Sequence, residues 1–323
     1  MPVTLADFRF APCFDVAVAS RVGCGPSTRA ENQDNFVVID FDGRACRLQD
    51  QQPCFVTVDG WPSGHGRLAV LYGMGGHGHG REAAEALAAA LLAMPACATL
   101  EELSERLDVI HAGLQARFAK GASGAGRPGT TLTLLELPAS GAPLLYHVGD
   151  SRLYRLARDG AAALTIDHVP ATAAALAGRL DQAGWQAQVY GRHTPQIAQA
   201  FILGNAFADP ARLSDPLFPL TALNLPPWLA HLPDRRPLPL EADAAYLLAT
   251  DGFWSCAEPD RVTREWARLL AAEPDAVLLV ERLFSALDAA PPPGLQPDNL
   301  TALVVRPLPR HADETALPVD AES

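Results

Sequence analysis

The chain has 323 residues, of which 49% are hydrophobic, enough apolar material for a sizeable core, so wholesale disorder is excluded. Its formal net charge of −12 argues against sequence-independent binding of nucleic acid, because such binding needs basic surface to neutralise phosphates. An acidic balance suits a protein that concentrates divalent cations, although many soluble proteins are acidic for no special reason.

The cysteines and the N-terminal residues indicate the compartment. The six cysteines form no C-x-x-C pair, and a chain of this length needs no disulfide staples, so we expect reduced thiols in a cytoplasmic protein. Residues 1–12 contain no basic region followed by an apolar core, so no secretory signal is predicted. The uncharged run 86–94 is too short to span a bilayer, and we expect no membrane partner.

The first third of the chain predicts strands followed by two helices. Apolar or alternating runs of strand length occupy 14–20, 35–41 and 68–72, and a Gly/Pro/Asp-rich stretch between the last two predicts a hairpin with a decorated loop. A helix is predicted at about 81–94. A second helix follows a T-x-x-E capping box at 99–102, with apolar residues recurring every three or four positions.

The remaining elements predict a mixed fold. Three β-rich runs are joined by ASGAP and by GDS, which both have turn chemistry, and region 207–240 is proline-rich and is interpreted as an irregular packed insertion. The three joined runs are 130–137, 144–148 and 152–156, and two further strands are predicted at 244–250 and 299–305. The helical patterns are 170–183, 194–203, 260–272 and 275–289. This order predicts the α+β class with largely antiparallel pairing rather than regular βαβ alternation.

A glycine-rich turn, GMGGHGHG, lies between the strand at 68–72 and the following helix. Gly73, Gly75 and Gly78 satisfy G-x-G-x-x-G, the dinucleotide-binding pattern. That fold requires a βαβ unit, whereas here a second helix follows the first, so the dinucleotide hypothesis is disfavoured. The remaining alternatives are a tight turn that needs glycine for its backbone and a turn that serves another site.

Four aspartates lie at predicted strand ends. Asp34 begins a strand, Asp150 lies in a turn between two strands, Asp251 follows a buried strand, and Asp298 precedes one. A single such residue is usually a turn former or a cap. Several of them beside a glycine-rich turn more often indicate a site for a hard cation, because Mg²⁺ and Mn²⁺ prefer carboxylate, carbonyl and water oxygens.

Six short motifs in order resemble the PP2C-type (PPM) metal-dependent serine/threonine phosphatases. They are R-x-x-N-Q-D (29–34), G-M-G-G-H (73–77), G-T-T (129–131), V-G-D-S-R (148–152), T-D-G (250–252) and D-N-L-T (298–301). The resemblance covers roughly 12–307 and implies a PP2C-like, four-layer αββα sandwich of two antiparallel sheets flanked by helices. Residues 1–11 are then an N-terminal segment, and 308–323 an acidic tail that we predict to be disordered.

The resemblance also implies a role for each motif residue. Two Mn²⁺ or Mg²⁺ ions would activate a bridging water that attacks phosphorus, while an arginine holds the phosphate. By family position, Arg29 is the phosphate-binding arginine, Asp251 and Asp298 bind one metal directly, Asp34 and the Gly73 carbonyl serve the second metal, and Asn299 orients the loop of Asp298. Asp150 matches a ligand of a third metal in some members, with a plain turn former as the equal alternative.

One position departs from the family. The resemblance implies D-G-M-G-G-H, but Tyr72 replaces the aspartate that bridges the two metals. Two dications about 4 Å apart repel by on the order of 15 kcal/mol at an effective dielectric near 20, and a neutral tyrosine does not offset this. We therefore expect a normal binuclear centre to be impaired or absent, while one ion rather than two could still bind through Asp251 and Asp298.

Two hypotheses about function follow. The first is a metal-dependent hydrolase that removes phosphate from phosphoserine or phosphothreonine of a protein substrate in a signalling pathway. The second is a pseudophosphatase, a regulatory module that binds a phosphoprotein or another partner without hydrolysis. The expected partner is a phosphorylated protein, and under either hypothesis the 207–240 insertion is a candidate contact for a cognate serine/threonine kinase or a scaffold.

Overall fold

The computed structural model describes residues 3, 5, 7–24, 27–75, 79–119, 127–192, 194, 196–207, 209, 213, 215–270, 273 and 275–309. The strands are β1 (Phe14–Arg21), β2 (Gly23–Cys24), β3 (Ser27–Thr28), β4 (Asn35–Ile39), β5 (Arg44–Gln49), β6 (Gln52–Thr57), β7 (Gly66–Leu71), β8 (Gly73–Met74), β9 (Gly129–Thr130), β10 (Leu132–Leu137), β11 (Leu144–Val148), β12 (Arg152–Ala157), β13 (Gly160–Ala163), β14 (Gln199–Ala200), β15 (Gly204–Asn205), β16 (Arg235–Pro237), β17 (Ala245–Ala249) and β18 (Leu300–Pro307). The helices are α1 (Gly80–Ala93), α2 (Leu100–Ala119), α3 (Pro170–Leu176), α4 (Gln182–Val189), α5 (Pro259–Leu270) and α6 (Ala276–Ala289).

Two large antiparallel sheets carry the fold. One has five strands in the order β1-β18-β17-β12-β13, and the other has seven in the order β16-β11-β10-β7-β4-β5-β6. Their facing sides enclose a core of alternating apolar residues such as Val18, Phe36, Val70 and Leu303. The period-2 alternation of these strands places every second side chain in this core.

Helices cover the outer faces of both sheets. Leu87 and Leu91 of α1 and Leu103 of α2 pack on the seven-stranded sheet. Trp266 of α5 and Leu283 of α6 pack on the five-stranded sheet. The layers are therefore helix, sheet, sheet and helix, and the predicted α+β sandwich is confirmed.

A smaller apolar cluster lies beside the sandwich. Trp185 of α4 packs there with Leu220, Leu225 and Leu229, which come from the predicted 207–240 insertion. The end of that insertion is not irregular, because β16 pairs with β11 at the edge of the seven-stranded sheet. Proline is compatible with this position, since an edge strand leaves one side of its ladder unpaired.

Three local predictions need correction. The helix predicted at 194–203 is wrong: Gln199–Ala200 is a short strand, and Ile202 has a positive φ of 75°, which is incompatible with a helix. The loop of the hairpin predicted between 35–41 and 68–72 contains two further strands, β5 and β6. GDS is not a hairpin turn, because β11 and β12 belong to different sheets and 149–151 is the crossover between them.

The described residues contain no helix that is both long and apolar enough to cross a membrane. From residue 310 onward, the predicted acidic tail lies outside the described residues.

Candidate metal centre

The candidate residues lie at one end of the sandwich, where the chain passes between the two sheets. The segment 22–34 leads from β1 to β4, and 149–151 leads from β11 to β12. At the same end β7 and β17 finish, and β18 begins, as the pairs Asn35–Leu71 and Ala249–Ala302 require. Residues far apart in sequence therefore meet at this end of the fold.

Asp34 is buried, and only half of its carboxylate is hydrogen-bonded. Its Oδ2 accepts hydrogen bonds from the hydroxyls of Thr250 and Thr301, each at 2.8 Å, whereas its buried Oδ1 has no hydrogen-bond partner. Burial raises the pKa of Asp34 well above its ordinary value; the two hydroxyls lower it, and Asp298 raises it further. A buried oxygen in this state is suited to a cation.

Asp298 is shared by two neighbours. Its Oδ2 lies 3.1 Å from Nη2 of Arg29 and 3.4 Å from the Tyr72 hydroxyl, which donates to it. Its Oδ1 accepts from the backbone N–H of Asn299 at 2.8 Å. Burial and then repulsion by Asp251 raise the pKa of Asp298 to about 6, although Arg29 opposes the shift. The arginine thus neutralises only part of the negative charge.

Asp251 opens a short 3₁₀ helix, Asp251–Phe253, directly after β17. Ser255 donates its hydroxyl to the Asp251 carbonyl at 2.9 Å and to Oδ2 at 3.2 Å. The next residue must be glycine, because a Cβ on Gly252 would lie 2.1 Å from the carbonyl oxygen of Asn299. This close approach brings Asp251 and Asp298 to the same place.

Asp150 lies on the crossover rather than in a hairpin. It is buried, its Oδ1 has no hydrogen-bond partner, and burial followed by repulsion from Asp251 raises its pKa well above the ordinary value. Gly149 makes the crossover possible, since its φ is 113° and a Cβ would lie 2.5 Å from a methyl carbon of Thr131. Asp150 therefore lies on a crossover between the two sheets and not in a hairpin turn.

Tyr72 stands among these acids. Its backbone is fixed by Thr131, whose hydroxyl accepts from the Tyr72 N–H and whose N–H donates to the Tyr72 carbonyl, both at 2.9 Å. Burial raises the pKa of the Tyr72 hydroxyl far above its usual range. The further contributions come from Asp251, Asp298, Asp150 and Asp34, in that order. The phenol is thus neutral, and four nearby carboxylates contribute to the rise of its pKa.

Gly73 and Asn299 hold the surrounding backbone together. A Cβ on Gly73 would lie 2.3 Å from the carbonyl oxygen of Gln33, so the glycine turn packs directly against the segment that carries Asp34. The Asn299 amide donates to the carbonyls of Val22 and Glu31, and its oxygen accepts from the Gln33 N–H at 2.9 Å. The structure does not describe 76–78, so His77 of the glycine motif lies outside the described residues.

Sequence reasoning assigned no role to the hydroxyls that hold the acids. Thr250 and Thr301 lay within the motifs, but their bonds to Asp34 join three separated segments. Ser255 follows Asp251 by four residues, and its position only becomes meaningful once the 3₁₀ helix is known. The one available signal was the presence of threonine at two strand ends beside aspartate.

The candidate residues include oxygen donors of the kind that a hard cation binds. Asp34 and Asp150 present buried oxygens without hydrogen-bond partners, and carboxylates are the ligands that Mn²⁺ and Mg²⁺ prefer. However, among the described residues no three His, Cys, Asp or Glu side chains are grouped as a ready metal site. Tyr72 donates to Asp298, and Arg29 also pairs with that carboxylate.

The charge of Asp298 gives a pH-dependent prediction for the metal-free protein. Its folded pKa of about 6 lies above the ordinary value, so its contribution to stability is full below about pH 4 and is lost as pH rises through about 6. Asp298→Asn should therefore raise Tm relative to wild type at pH 7.5 in a chelator, with a difference that shrinks by pH 5. Thermal unfolding across this range measures it, and a difference independent of pH would contradict the assignment.

No protein-family model and no curated protein matches the sequence. Solved structures do match along most of the chain. A serine/threonine phosphatase of S. agalactiae gives a TM-score of 0.62 at 18% identity, covering 91% of this chain and 99% of that chain. PstP/Ppp of Mycobacterium tuberculosis gives 0.59 at 22% identity, with 92% and 100% covered. PppA of Pseudomonas aeruginosa, described as a key regulatory component of T6SS, gives 0.56 at 19% identity, with 95% and 100% covered. Structural similarity at these low sequence identities shows that the proteins share a fold with this chain.

Proposed function

We propose, on the premise that this chain has the PP2C-like fold of the PPM-type serine/threonine phosphatases, that it acts on phosphoserine or phosphothreonine of a protein substrate. Its activity is metal-dependent hydrolysis by an impaired centre with one ion rather than two. The observation that supports this most directly is the meeting of Asp34, Asp251 and Asp298 with Arg29 at one end of the sandwich. Carboxylates for a cation and a guanidinium for phosphate are the parts that such chemistry requires.

Arg29 is the phosphate-holding group in this proposal. Its side chain is 49% exposed, and its Nε donates to the Pro297 carbonyl at 2.8 Å, which fixes the guanidinium at the edge of the acidic cluster. An incoming phosphate would compete with Asp298 for Nη2. A planar guanidinium can contact two phosphate oxygens at once, so it orients the phosphorus as well as attracting the charge.

The cation is proposed to be Mn²⁺ or Mg²⁺, held by Asp251 and Asp298 with Asp34 close by. The catalytic domain of PstP, which shares this fold, has been solved in complex with two manganese ions. When bound, such an ion supplies an activated water and neutralises charge on the phosphate. The chain's own residues contribute the surroundings: the Asn299 N–H donates to Asp298, the Thr301 hydroxyl donates to Asp34, and both acids are buried.

A second function is favoured by one observation, the position of Tyr72. Its neutral phenol, whose pKa four carboxylates help to raise, stands at the chain position where the family carries a bridging anion. A pseudophosphatase would keep Arg29 as a phosphate contact and bind a phosphoprotein without turnover. Under either function we propose a cytoplasmic signalling protein whose partner is a phosphorylated protein, with a cognate serine/threonine kinase as a further partner.

Phosphopeptide binding and hydrolysis test this proposal. With Mn²⁺ present, wild type should bind a phosphothreonine peptide in preference to its unphosphorylated form and hydrolyse it slowly. Arg29→Ala should weaken binding roughly tenfold or more, because hydrogen bonds between charged groups are lost. Fluorescence anisotropy measures binding, and phosphate release measures turnover.

The matched control is Arg21→Ala. Arg21 lies at the same end of the sandwich and carries the same charge, but it pairs with Asp288 of α6. It should leave phosphopeptide affinity within about twofold of wild type, as expected for an exposed pair away from the ligand. If wild type binds the phosphorylated peptide selectively but releases no phosphate, the pseudophosphatase is supported. If wild type binds the phosphorylated and unphosphorylated peptides equally, both functions are contradicted.

A further inference from the structure

The turn between β5 and β6 has an unusual backbone. Its two central residues, Asp50 and Gln51, have φ values of 48° and 65°, and neither is glycine. This left-handed region suits the two-residue hairpin, whose twist it matches, but side chains other than Asn, Asp and Gly adopt it reluctantly. Gln51 is therefore held in a conformation that its own preference does not explain, and such a conformation persists where the surroundings determine it.

The side chain of Gln51 contacts the segment that carries the candidate site. Its Oε1 accepts a hydrogen bond from the backbone N–H of Asn32 at 2.7 Å. Asn32 is buried and in turn accepts from the Asp34 N–H at 3.2 Å, while its amide donates to Ser20 at 2.8 Å. Asn32 lies three residues after Arg29 and two before Asp34, so one bond from Gln51 holds the centre of the segment between them.

The turn is itself fixed against α1. The backbone N–H of Asp50 donates to Glu85 at 3.0 Å. Arg81 of α1 links this turn to the segment that carries Arg29 and Asp34, because it lies 3.2 Å from a carboxylate oxygen of Asp50 and 3.2 Å from one of Glu31. Gln51 therefore extends from an anchored support, and its bond to Asn32 can restrain the crossing segment.

We infer that Gln51 is a positioning residue, whose hydrogen bond to Asn32 holds the Arg29–Asp34 segment in the geometry needed to receive phosphate. The consequence for phosphate binding rests on the proposed function, whereas the restraint on the segment does not. The segment has other supports, from Asn299 just before β18, from Ser20 of β1 and from Arg81 of α1. Gln51 adds a support from the turn between β5 and β6 of the seven-stranded sheet.

The test compares two glycine substitutions in the same turn. Gln51→Gly and Asp50→Gly each place glycine at a positive φ, but only Gln51→Gly removes the acceptor of the Asn32 N–H. Asp50→Gly keeps the backbone bond to Glu85 and loses only an ion pair whose aspartate is 81% exposed. The two variants thus share the relief of backbone strain and differ in the proposed restraint.

Amide hydrogen exchange, thermal unfolding and phosphopeptide anisotropy are measured on the full chain. In Gln51→Gly, exchange in residues 29–35 should rise about five- to tenfold, as expected for one lost hydrogen bond. Phosphopeptide affinity should fall about three- to tenfold, while Tm stays within about 2 °C of wild type because relief of strain offsets the lost bond. Asp50→Gly should change neither exchange nor affinity, and Gln51→Glu, which keeps an acceptor, should restore protection.

Equal exchange in residues 29–35 for both glycine variants would overturn the inference, as would faster exchange throughout the chain with a lowered Tm. If wild type fails to bind phosphopeptide, the proposed function fails, but exchange in residues 29–35 still decides the role of Gln51.

Discussion

Replacing Tyr72 with aspartate is expected to increase Mn²⁺-dependent phosphopeptide hydrolysis by about a hundredfold or more, since metal stabilisation of charge is worth several kcal/mol. The new carboxylate would replace a phenol that interacts electrostatically with Asp34, Asp251 and Asp298, and the loss of the ring would leave room for an ion. An anion between two dications offsets their repulsion, which a neutral phenol does not. Initial rates of phosphate release over a range of Mn²⁺ concentrations measure the change in both rate and metal affinity.

Two controls separate charge from space. Tyr72→Phe keeps the ring and removes the 3.4 Å contact with Asp298, and it should not increase the rate. Tyr72→Asn removes the ring without adding charge, so any gain it gives measures relief of crowding alone. In a chelator, Tyr72→Asp should unfold at a lower temperature than wild type. The reason is that a fifth carboxylate would repel acids such as Asp34 and Asp150, whose pKa values are already raised. Equal rates for Tyr72→Asp and wild type would show that the bridging position is unimportant here.

Gly252→Ala is expected to cost about 3 kcal/mol of unfolding free energy and to abolish stabilisation by Mn²⁺. The added Cβ would lie 2.1 Å from the Asn299 carbonyl oxygen, a backbone atom that cannot rotate away. Relief requires that the segments carrying Asp251 and Asp298 separate, which removes the two proposed ligands of one ion from each other. Denaturant unfolding with and without Mn²⁺ measures both effects.

Gly113→Ala provides the matched control. Gly113 lies in α2, and a Cβ there would meet no atom within 4 Å. Alanine should stabilise this helix by about 1 kcal/mol, and the response to Mn²⁺ should remain that of wild type. A Gly252→Ala protein as stable as wild type would contradict the close packing of the two segments.

The strand ends that carry the acids could be predicted because buried strands leave a strong local signal. Asp251 follows an apolar run and Asp298 precedes one, and these runs became the neighbouring strands β17 and β18. The glycine turn after β7 was likewise visible. Its close approach to Gln33, by contrast, depends on two segments that local patterns do not relate.

The errors have a common physical cause. Turn chemistry in GDS indicates a change of direction, but it does not say whether the next strand joins the same sheet or the opposite one. The pattern at 194–203 fits a helix locally, yet the Phe201 carbonyl accepts from the Thr130 N–H at 3.1 Å, a long-range bond that favours extended backbone. The role inferred for Gln51 left no sequence signal at all, since its partner Asn32 lies across a hairpin.

Anomalous diffraction from crystals grown with Mn²⁺ tests the central claim most directly, because it locates the ions relative to Tyr72. For wild type we predict one manganese peak, bound by Asp251 and Asp298 on one side of the tyrosine ring, and for Tyr72→Asp a second peak on the side of Asp34 and Gly73. Two manganese peaks at the site in wild type, with Tyr72 present, would contradict it. So would the absence of any peak at these carboxylates in both proteins at saturating Mn²⁺.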